Sequence, residues 1–477
     1  MRKRNILAGF AIGLAVGLLL GPVIAISGEN DWDSFKKKFL EPVAQAAYII
    51  QARYVEKVEP ERILEGAYEG MLTKLDEHSG FIPPKLQKEF EGDTKGEFGG
   101  LGIQIQFDPL KKIIRVEQPI PGTPAFKAGI MAGDIITKVH EDATNQDFET
   151  SSFEDVHDAV RVLRGEAGTK VTVTVYHEST HKQDQITITR EVIKVPGVRA
   201  ANIVDAEHKI GYIYIAHFHE NTAKDLRAAI ANLNQQGMKA LIIDLRFNPG
   251  GLLTSSVDVA DAFMQDAIVV STRGRAEEPR EYRTEGTDAT GGMPLVVLVN
   301  RYSASASEIV AGAIKDNKRG LLVGEKTFGK GSVQTVIPLG LGNDKGALKL
   351  TTARYYTPSG VCIDKSGVKP DITVLLTEDD TRRLVQALAD ATEYPPKPKE
   401  EKPAGAPEVK PAPAPAPEKA PAPGESGAKA EEKKQEPFHD VQLERAVDIL
   451  TALLIEQERR QPAPPAAPKA AAAPVVK

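Results

Sequence analysis

The sequence predicts an α/β protein, because strand-like and helix-like segments alternate through its centre. The apolar runs HKIGYIYIAHF (208–218) and KALIIDLRF (239–247) have the composition of strands. The segments TAKDLRAAIANLNQQG (222–237) and SVDVADAFMQ (256–265) have apolar residues at helical spacing. This alternation is typical of βαβ units around a partly parallel sheet.

Composition limits the possible classes of protein. With 477 residues and 41% hydrophobic content, the chain is long enough to bury two or more cores. Its net charge of −6 argues against a nucleic-acid partner. The single cysteine, Cys362, excludes an internal disulfide.

The N-terminus has the pattern of a signal anchor or signal peptide, residues 1–28. MRKRN (1–5) is basic, and residues 6–26 are uncharged and mainly apolar, close to the roughly 20 residues that span a bilayer. The positive flank predicts a cytoplasmic N-terminus and export of the remainder, so we expect the protein on the periplasmic side of the inner membrane. Ala25-Ile26-Ser27 is a passable cleavage site, so both anchoring and release remain open. Residues 29–95 are charged and amphipathic and predict an N-terminal helical region.

A serine at a predicted strand-to-helix turn is the first candidate catalytic residue. MPLVVLVN (293–300) reads as a buried strand, and SEIVAGAI reads as a helix that begins near Ser305. A hydroxyl there lies beside free helix N–H groups, which favour an oxyanion. Ser305 and Glu308 also satisfy the S-x-x-E capping box, so a mere helix cap is the alternative.

A glycine-flanked lysine supplies a candidate general base. LLVGEKTFGKGSVQT (321–335) contains Lys326 and Lys330, and period-two alternation puts Lys330 and Gln334 on one strand face. Gln334 could therefore hold the Lys330 amine. A lysine base must be neutral, so its pKa of about 10.4 has to fall by roughly three units, a cost near 4 kcal/mol that desolvation supplies.

These motifs together resemble the carboxy-terminal processing peptidases, also called tail-specific proteases. SASASE followed by FGKG, with glutamine four residues after the lysine, is similar to that family, and the resemblance extends over about 40–391. It implies a serine endopeptidase with a crotonase-like protease core over 196–391. By the same resemblance, Ser305 is the nucleophile, Lys330 the base and Gln334 the residue that orients the lysine. Acyl-CoA enzymes share the crotonase fold but lack this serine and lysine.

Two further positions match the family. IIDLRFNPGG (242–251) ends in glycines that allow close backbone approach, although an ordinary turn is the alternative. The resemblance implies that the amide of Gly250 or Gly251 completes an oxyanion hole with the amide of Ala306. Asp316 matches a family acidic position, but it lies about 16 Å along the helix from Ser305 at 1.5 Å per residue, so we interpret it as structural.

The segment 96–195 resembles a PDZ domain inserted before the core. FGGLGIQIQFD (98–108), PGTPAFKAGIMAGDIITKV (121–139) and FEDVHDAVRVLRG (153–165) carry this resemblance. It implies that consecutive amides bind a substrate's terminal carboxylate, at Gly100, Leu101, Gly102 and Ile103. Arg164 either pairs with that carboxylate or is a solvated helix-end cation. HEDATNQDFETSS (140–152) predicts a long polar loop.

The histidines of the first core strand do not predict a metal site. His217 and His219 alternate along the strand, and no carboxylate or cysteine motif nearby completes a ligand set, so we interpret them as surface residues. We expect neither a metal nor another cofactor.

The C-terminal region combines low-complexity sequence with one amphipathic helix. Residues 392–436 are rich in proline and alanine and predict a disordered linker, and 461–477 predict a disordered tail. Within 437–460, one helical face carries Leu443, Val447, Leu450 and Leu454. We expect this helix to dock on a partner or, in self-association, on the N-terminal helices.

The sequence thus predicts a membrane-tethered periplasmic serine–lysine endopeptidase that recognises protein C-termini. We expect a homo-oligomer, with an adaptor protein as a possible partner. The alternative is a catalytically inactive PDZ scaffold in which Ser305 only caps its helix.

Overall fold

The computed structural model describes residues 29–389 and 439–460, except 109, 121, 154–155, 179 and 341–344. The signal segment 1–28, the linker 392–436 and the tail 461–477 lie outside these residues. The chain divides into two compact units, Met1–Pro83 and Pro84–Lys477, and each is described by itself.

The first unit is mainly helical, which confirms the predicted N-terminal helical region. Its elements are α1 (Glu29–Phe35), a π-helical stretch (Lys36–Leu40), α2 (Glu41–Arg53), α3 (Pro60–Leu72) and β1 (Gly80–Ile82). Proline opens α3, where its missing N–H has no helical partner to lose. The ring of Tyr68 packs on that of Phe81, with centroids 4.8 Å apart. No helix in the described part of the chain is long and apolar enough to cross a membrane.

The second unit begins with the elements α4 (Pro84–Lys95), β2 (Glu97–Gly100), β3 (Ile103–Asp108), β4 (Ile113–Pro119), α5 (Pro124–Lys127), β5 (Ile135–Glu141), β6 (Gln146–Glu149), α6 (Val156–Leu163), β7 (Lys170–His177), β8 (Lys182–Thr189) and β9 (Glu191–Lys194). Strands β3 to β8 form a six-stranded antiparallel sheet in the order β3-β4-β5-β7-β8, with β6 paired to β5. Ile114, Val116, Ile136 and Val173 are fully buried in its core. This is the predicted PDZ domain.

One local prediction in this domain is wrong. The segment 140–152 was expected to be a long polar loop, but β5 and β6 pair there as an antiparallel hairpin. The cause is that β6 lies at an edge, where none of its side chains is fully buried. Without a buried face, a strand shows no apolar alternation in its sequence.

The predicted core follows, with the elements β10 (Val198–Asp205), β11 (Ile210–Ile215), α7 (Thr222–Gln235), β12 (Ala240–Asp244), α8 (Leu253–Ala260), β13 (Ile268–Gly274), β14 (Arg280–Arg283), β15 (Leu295–Val299), α9 (Ala306–Asp316), β16 (Leu321–Gly324), β17 (Ser332–Pro338), β18 (Ala347–Tyr356), β19 (Ile372–Thr373), α10 (Glu378–Ala389) and α11 (Val441–Arg460). Six of these strands form one sheet in the order β10-β11-β12-β15-β16-β19. All neighbouring pairs are parallel except β10 with β11. The predicted α/β class is therefore confirmed.

Both faces of this sheet are covered, which is why its central strands are apolar throughout. On one face, Ile243 and Val297 pack with Leu226, Val259 and Ile309 from α7, α8 and α9. The other face packs against α10 and α11. A second, antiparallel sheet contains β17, β18, β13 and β14.

The C-terminal helix α11 docks on the core of its own chain. Its buried residues Ala446, Leu450 and Leu454 pack in one cluster with Ile242 and Val296 of the central strands. The expectation that this face docks on a partner or on the N-terminal helices is therefore wrong, because the face is buried within the second unit itself. The helical spacing of apolar residues predicted that α11 has one apolar face, but it could not predict which surface that face packs against.

Candidate active site

The candidate catalytic residues lie on three loops at one edge of the parallel sheet. Strands β12, β15 and β16 are adjacent and parallel, so their carboxyl ends meet at that edge. The loops that follow them carry Gly251, Ser305 and Lys330, respectively. Ligands of open α/β sheets bind at such edges.

Ser305 sits at the turn from β15 into α9 in an unusual backbone conformation. Its φ is 55° and its ψ is −113°, outside the common regions for a residue with a side chain. It caps α9, and 8% of its surface is exposed. Strain of this kind persists only where the surroundings fix the backbone, and it is frequent at active sites.

The two flanking serines fix this turn. Ser303 Oγ donates to the carbonyl of Leu245 at 2.8 Å, and Ser307 Oγ donates to the carbonyl of Asn248 at 2.9 Å. Both hydroxyls are thereby engaged with the loop after β12. Of the three serines, Ser305 is left as the candidate nucleophile.

Glu308 connects the serine turn to the lysine loop. Its Oε2 accepts the N–H of Ser305 at 2.9 Å and the N–H of Lys330 at 2.8 Å. Its Oε1 accepts the N–H of Gly329 at 2.7 Å and the hydroxyl of Thr327 at 2.6 Å. One fully buried carboxylate therefore sets the separation of the two candidate catalytic residues.

The electrostatics of Glu308 reflect its burial. Desolvation raises the pKa of its carboxyl, while the hydrogen bonds from Thr327, Ser305, Gly329 and Lys330 oppose that rise. Sequence reasoning identified Glu308 only as part of a capping box. The S-x-x-E spacing was the signal that could have indicated its contact with the Lys330 loop. A capping glutamate lies at the start of its helix, so it can also bind a loop that covers that end.

Lys330 is half-buried and lies in the loop between β16 and β17. Burial lowers the pKa of its amine, nearby Lys349 lowers it further, and the Glu308 charge raises it. Among the residues that the structure describes, its ammonium has no ion-pair partner. Lys326 of the same loop is exposed.

The structure gives Gln334 a different neighbour from the predicted one. Its Nε2 donates to Ser332 Oγ at 2.8 Å, and it has no hydrogen bond to Lys330 among the described contacts. The period-two argument fails because β17 begins at Ser332, so Lys330 precedes the strand. The orienting role of Gln334 remains a prediction.

The glycines after β12 lie against Ser305. At Gly250, a Cβ would come within 2.8 Å of both Ser305 Cβ and the Ala304 carbonyl oxygen, so only glycine fits. The Gly250 N–H already donates to Asn248 Oδ1 at 2.8 Å, which leaves Gly251 as the candidate oxyanion donor of the two. Ala306 is the first residue of α9, where an N–H has no helical acceptor.

Asp316 lies at the far end of α9. Its Oδ2 accepts the N–H of Ser359 at 3.0 Å, which ties the helix end to a loop. This contact agrees with the structural interpretation of Asp316.

His217 and His219 are half-buried, and their rings pack against each other at an angle of 34°, with centroids 5.4 Å apart. They are therefore not the surface residues that the sequence suggested. In the described ranges, no group of three or more His, Cys, Asp or Glu side chains is placed to hold a metal ion.

The PDZ domain presents a groove of about 100 Å³ at the predicted carboxylate site. The loop between β2 and β3 and the end of α6 line it, and the lining residues include Gly100, Leu101, Gly102, Ile103 and Arg164. The Arg164 guanidinium stacks over the Phe98 ring at 4.3 Å. All five predicted residues therefore meet in one groove, with a cation at its edge.

Comparison with known families agrees with this architecture. The description "Peptidase family S41" matches residues 209–374, "PDZ domain" matches 99–188, and "Activating protease CtpB N-terminal domain" matches 24–80.

Relatives of known name cover most of the chain. A carboxy-terminal-processing protease of Bartonella bacilliformis is 42% identical over 355 residues, 73% of this chain and 78% of that protein. The carboxy-terminal processing protease CtpB of Bacillus subtilis is 33% identical over 352 residues, 73% of this chain and 71% of that protein. Among solved structures, a photosystem II D1 C-terminal processing protease is 32% identical and covers 72% of this chain and 88% of its own, with a TM-score of 0.42. The chain belongs to peptidase family S41, among its PDZ-containing carboxy-terminal processing proteases.

Proposed function

We propose that this chain is an endopeptidase that captures protein C-termini in its PDZ groove and cleaves them with a Ser305–Lys330 dyad. The observation that carries the proposal is the shared oxygen of Glu308, which bonds the backbone of both residues. The chemistry requires the hydroxyl and the amine to be held together, and this contact holds their main chains together.

The proposed reaction begins with a neutral Lys330 amine. It accepts the proton of Ser305 Oγ as that oxygen attacks the scissile carbonyl carbon. The N–H groups of Ala306 and Gly251 stabilise the resulting oxyanion. The Lys330 ammonium then gives its proton to the departing amine, and the acyl-enzyme is hydrolysed by a water that Lys330 deprotonates.

Two features of the site support catalysis over the inactive-scaffold alternative. A helix cap does not need a half-buried lysine in the adjoining loop, and the burial that lowers the pKa of Lys330 costs folding stability that a purely structural cap would not require. Gly250 is kept in a conformation with φ of 105°, and the absence of a side chain there lets the loop after β12 lie directly against Ser305.

Location and assembly are part of the same proposal. The basic and apolar start of the chain supports tethering to, or export across, the inner membrane, with the peptidase in the periplasm. Large apolar side chains of α1 and α2 are exposed, among them Phe39 at 52% and Tyr48 at 72%, which supports a homo-oligomer or an adaptor contact there.

Ser305→Ala should abolish peptide hydrolysis, because it removes only the nucleophilic oxygen. Alanine at a helix cap costs about 1 kcal/mol, so folding and binding of C-terminal peptides should persist. Steady-state hydrolysis and peptide titration check this. The matched variants Ser303→Ala and Ser307→Ala each lose one hydrogen bond that supports the turn but no reacting atom, so they should retain most of the activity. Hydrolysis by Ser305→Ala at the unmodified rate would place the nucleophile elsewhere.

The rate of hydrolysis should rise with pH through an apparent pKa below that of free lysine, because the neutral amine of Lys330 is the active form. Lys349→Gln removes a positive neighbour, so the pKa of Lys330 should increase and the rising limb should move to higher pH. Lys326→Gln, which removes an exposed charge of the same loop, should leave the profile unchanged. Lys330→Arg should be inactive because guanidinium stays protonated. An active Lys330→Arg enzyme would contradict the assignment of the base.

Glu308→Gln should lower kcat and destabilise the fold by roughly 1–3 kcal/mol, because an amide nitrogen would replace one of two oxygens that each accept two hydrogen bonds. Thermal unfolding and hydrolysis assays measure the two effects. Asp316→Asn, an equal charge change at the other end of α9, should keep kcat. Equal losses in both variants would indicate that the helix, and not the Glu308 contact, determines activity.

Amidation of a substrate's C-terminus should raise KM by roughly tenfold and change kcat little, because the groove would lose a charged partner for its amides and for Arg164. Matched acid and amide peptides of one sequence provide the test. Identical KM values would show that the PDZ groove does not recognise the free carboxylate.

A further inference from the structure

The C-terminal helix carries an aspartate into the interior of the core. Asp440 precedes α11 and caps it, since its Oδ1 accepts the N–H groups of Gln442 and Leu443, each at 3.1 Å. The same carboxylate faces Arg246, which directly follows Leu245 in the loop after β12. Arg246 and Asp440 are distant in sequence, so only the docking of α11 brings them together.

The guanidinium of Arg246 is fully buried between two carboxylates. Its Nη1 and Nη2 donate to Asp440 Oδ1 and Oδ2 at 2.9 and 2.8 Å, a bidentate contact. Its Nη2 and Nε also donate to Asp244 at 2.6 and 3.0 Å. Gln442 Oε1 accepts from Nη1 at 3.1 Å. Asp440 and Gln442, at the start of α11, therefore supply about half of the hydrogen-bond acceptors of the Arg246 guanidinium.

The backbone beyond Arg246 leads directly to the catalytic serine. The Asn248 carbonyl accepts the N–H of Ala304 at 3.0 Å, and its side-chain oxygen accepts the N–H of Gly250 at 2.8 Å. Asn248 Nδ2 donates to the carbonyl of Ile215 at 2.7 Å. A displacement of residues 246–248 would therefore move Gly251 relative to Ser305.

We propose that Asp440 is a positioning residue for the oxyanion-hole loop: it holds Arg246, and Arg246 holds the backbone that presents Gly251 to the reacting carbonyl. The inference rests on the proposed role of Ser305 and extends it to a residue that touches neither substrate nor nucleophile. It makes the docked C-terminal helix part of the catalytic framework.

The test uses the full-length chain with Asp440→Asn and Asp440→Ser. Both substitutions keep an oxygen that can cap α11, so they remove mainly the charged contact with Arg246. We expect kcat to fall by roughly 10- to 100-fold, as for a small misplacement of a catalytic group, with KM and binding of C-terminal peptides unchanged. The labelling rate of Ser305 by a fluorophosphonate should fall in parallel.

Two matched variants distinguish an effect of Asp440 on the oxyanion-hole loop from a general loss of folding stability. Asp448→Asn changes an exposed charge of the same helix and should leave kcat unaltered. Leu450→Ala removes a fully buried side chain of α11 without touching Arg246, so it should lower the melting temperature while the folded enzyme keeps its kcat.

The proposal would be overturned by an unchanged kcat in the Asp440 variants, or by an equal loss of kcat in Leu450→Ala at the same folded fraction. It would also be overturned if both Asp440 variants failed to fold while Leu450→Ala folded. These results are distinct from a failure of the proposed function, which would appear as an active Ser305→Ala enzyme.

Discussion

A single buried carboxylate constrains the whole site. Because one oxygen of Glu308 accepts N–H groups from both Ser305 and Lys330, their main chains cannot separate without breaking a charge-assisted hydrogen bond. The carboxylate lies at the start of α9, where the helix dipole favours negative charge and offsets part of the cost of burial. The same hydrogen bond from the Ser305 N–H to Glu308 also helps to hold Ser305 in its strained backbone conformation. One carboxylate therefore contributes to the spacing of the two residues, to the charge of the site and to the conformation of the serine.

The parallel sheet fixes the positions of the loops that carry the candidate catalytic residues. Apolar layers on both faces fix the strands, and the three loops that leave their carboxyl ends are short and cross-linked by buried hydrogen bonds. Ser303 and Ser307 connect the serine turn to the loop after β12, and the network of Arg246 connects that loop to α11. The candidate catalytic residues therefore lie on loops held by rigid elements, the arrangement that the proposed catalysis would require.

The sequence predicted what local patterns encode. Alternating strands and helices indicated the α/β core, residue patterns indicated the loops of Ser305 and Lys330, and the resemblance to a known family implied the PDZ domain. It did not predict contacts between distant segments: the joint role of Glu308, the effect of Lys349 on Lys330, or the docking of α11 through Asp440. Two local inferences failed for other reasons. Strand periodicity was applied to Lys330, which precedes β17, and the hairpin of β6 was missed because an exposed edge strand has no apolar alternation.

The two ends of the PDZ domain lie beside each other. Strands β2 and β9 pair antiparallel at its base, and the N–H of Val195 donates to the carbonyl of Gly96 at 2.8 Å. A domain whose two ends meet in this way can stand between the preceding segment and the core without separating them in space. Evolution can therefore exchange or remove the whole recognition module while the catalytic loops keep their connectivity, so substrate choice and peptide-bond chemistry are free to diverge separately in such enzymes.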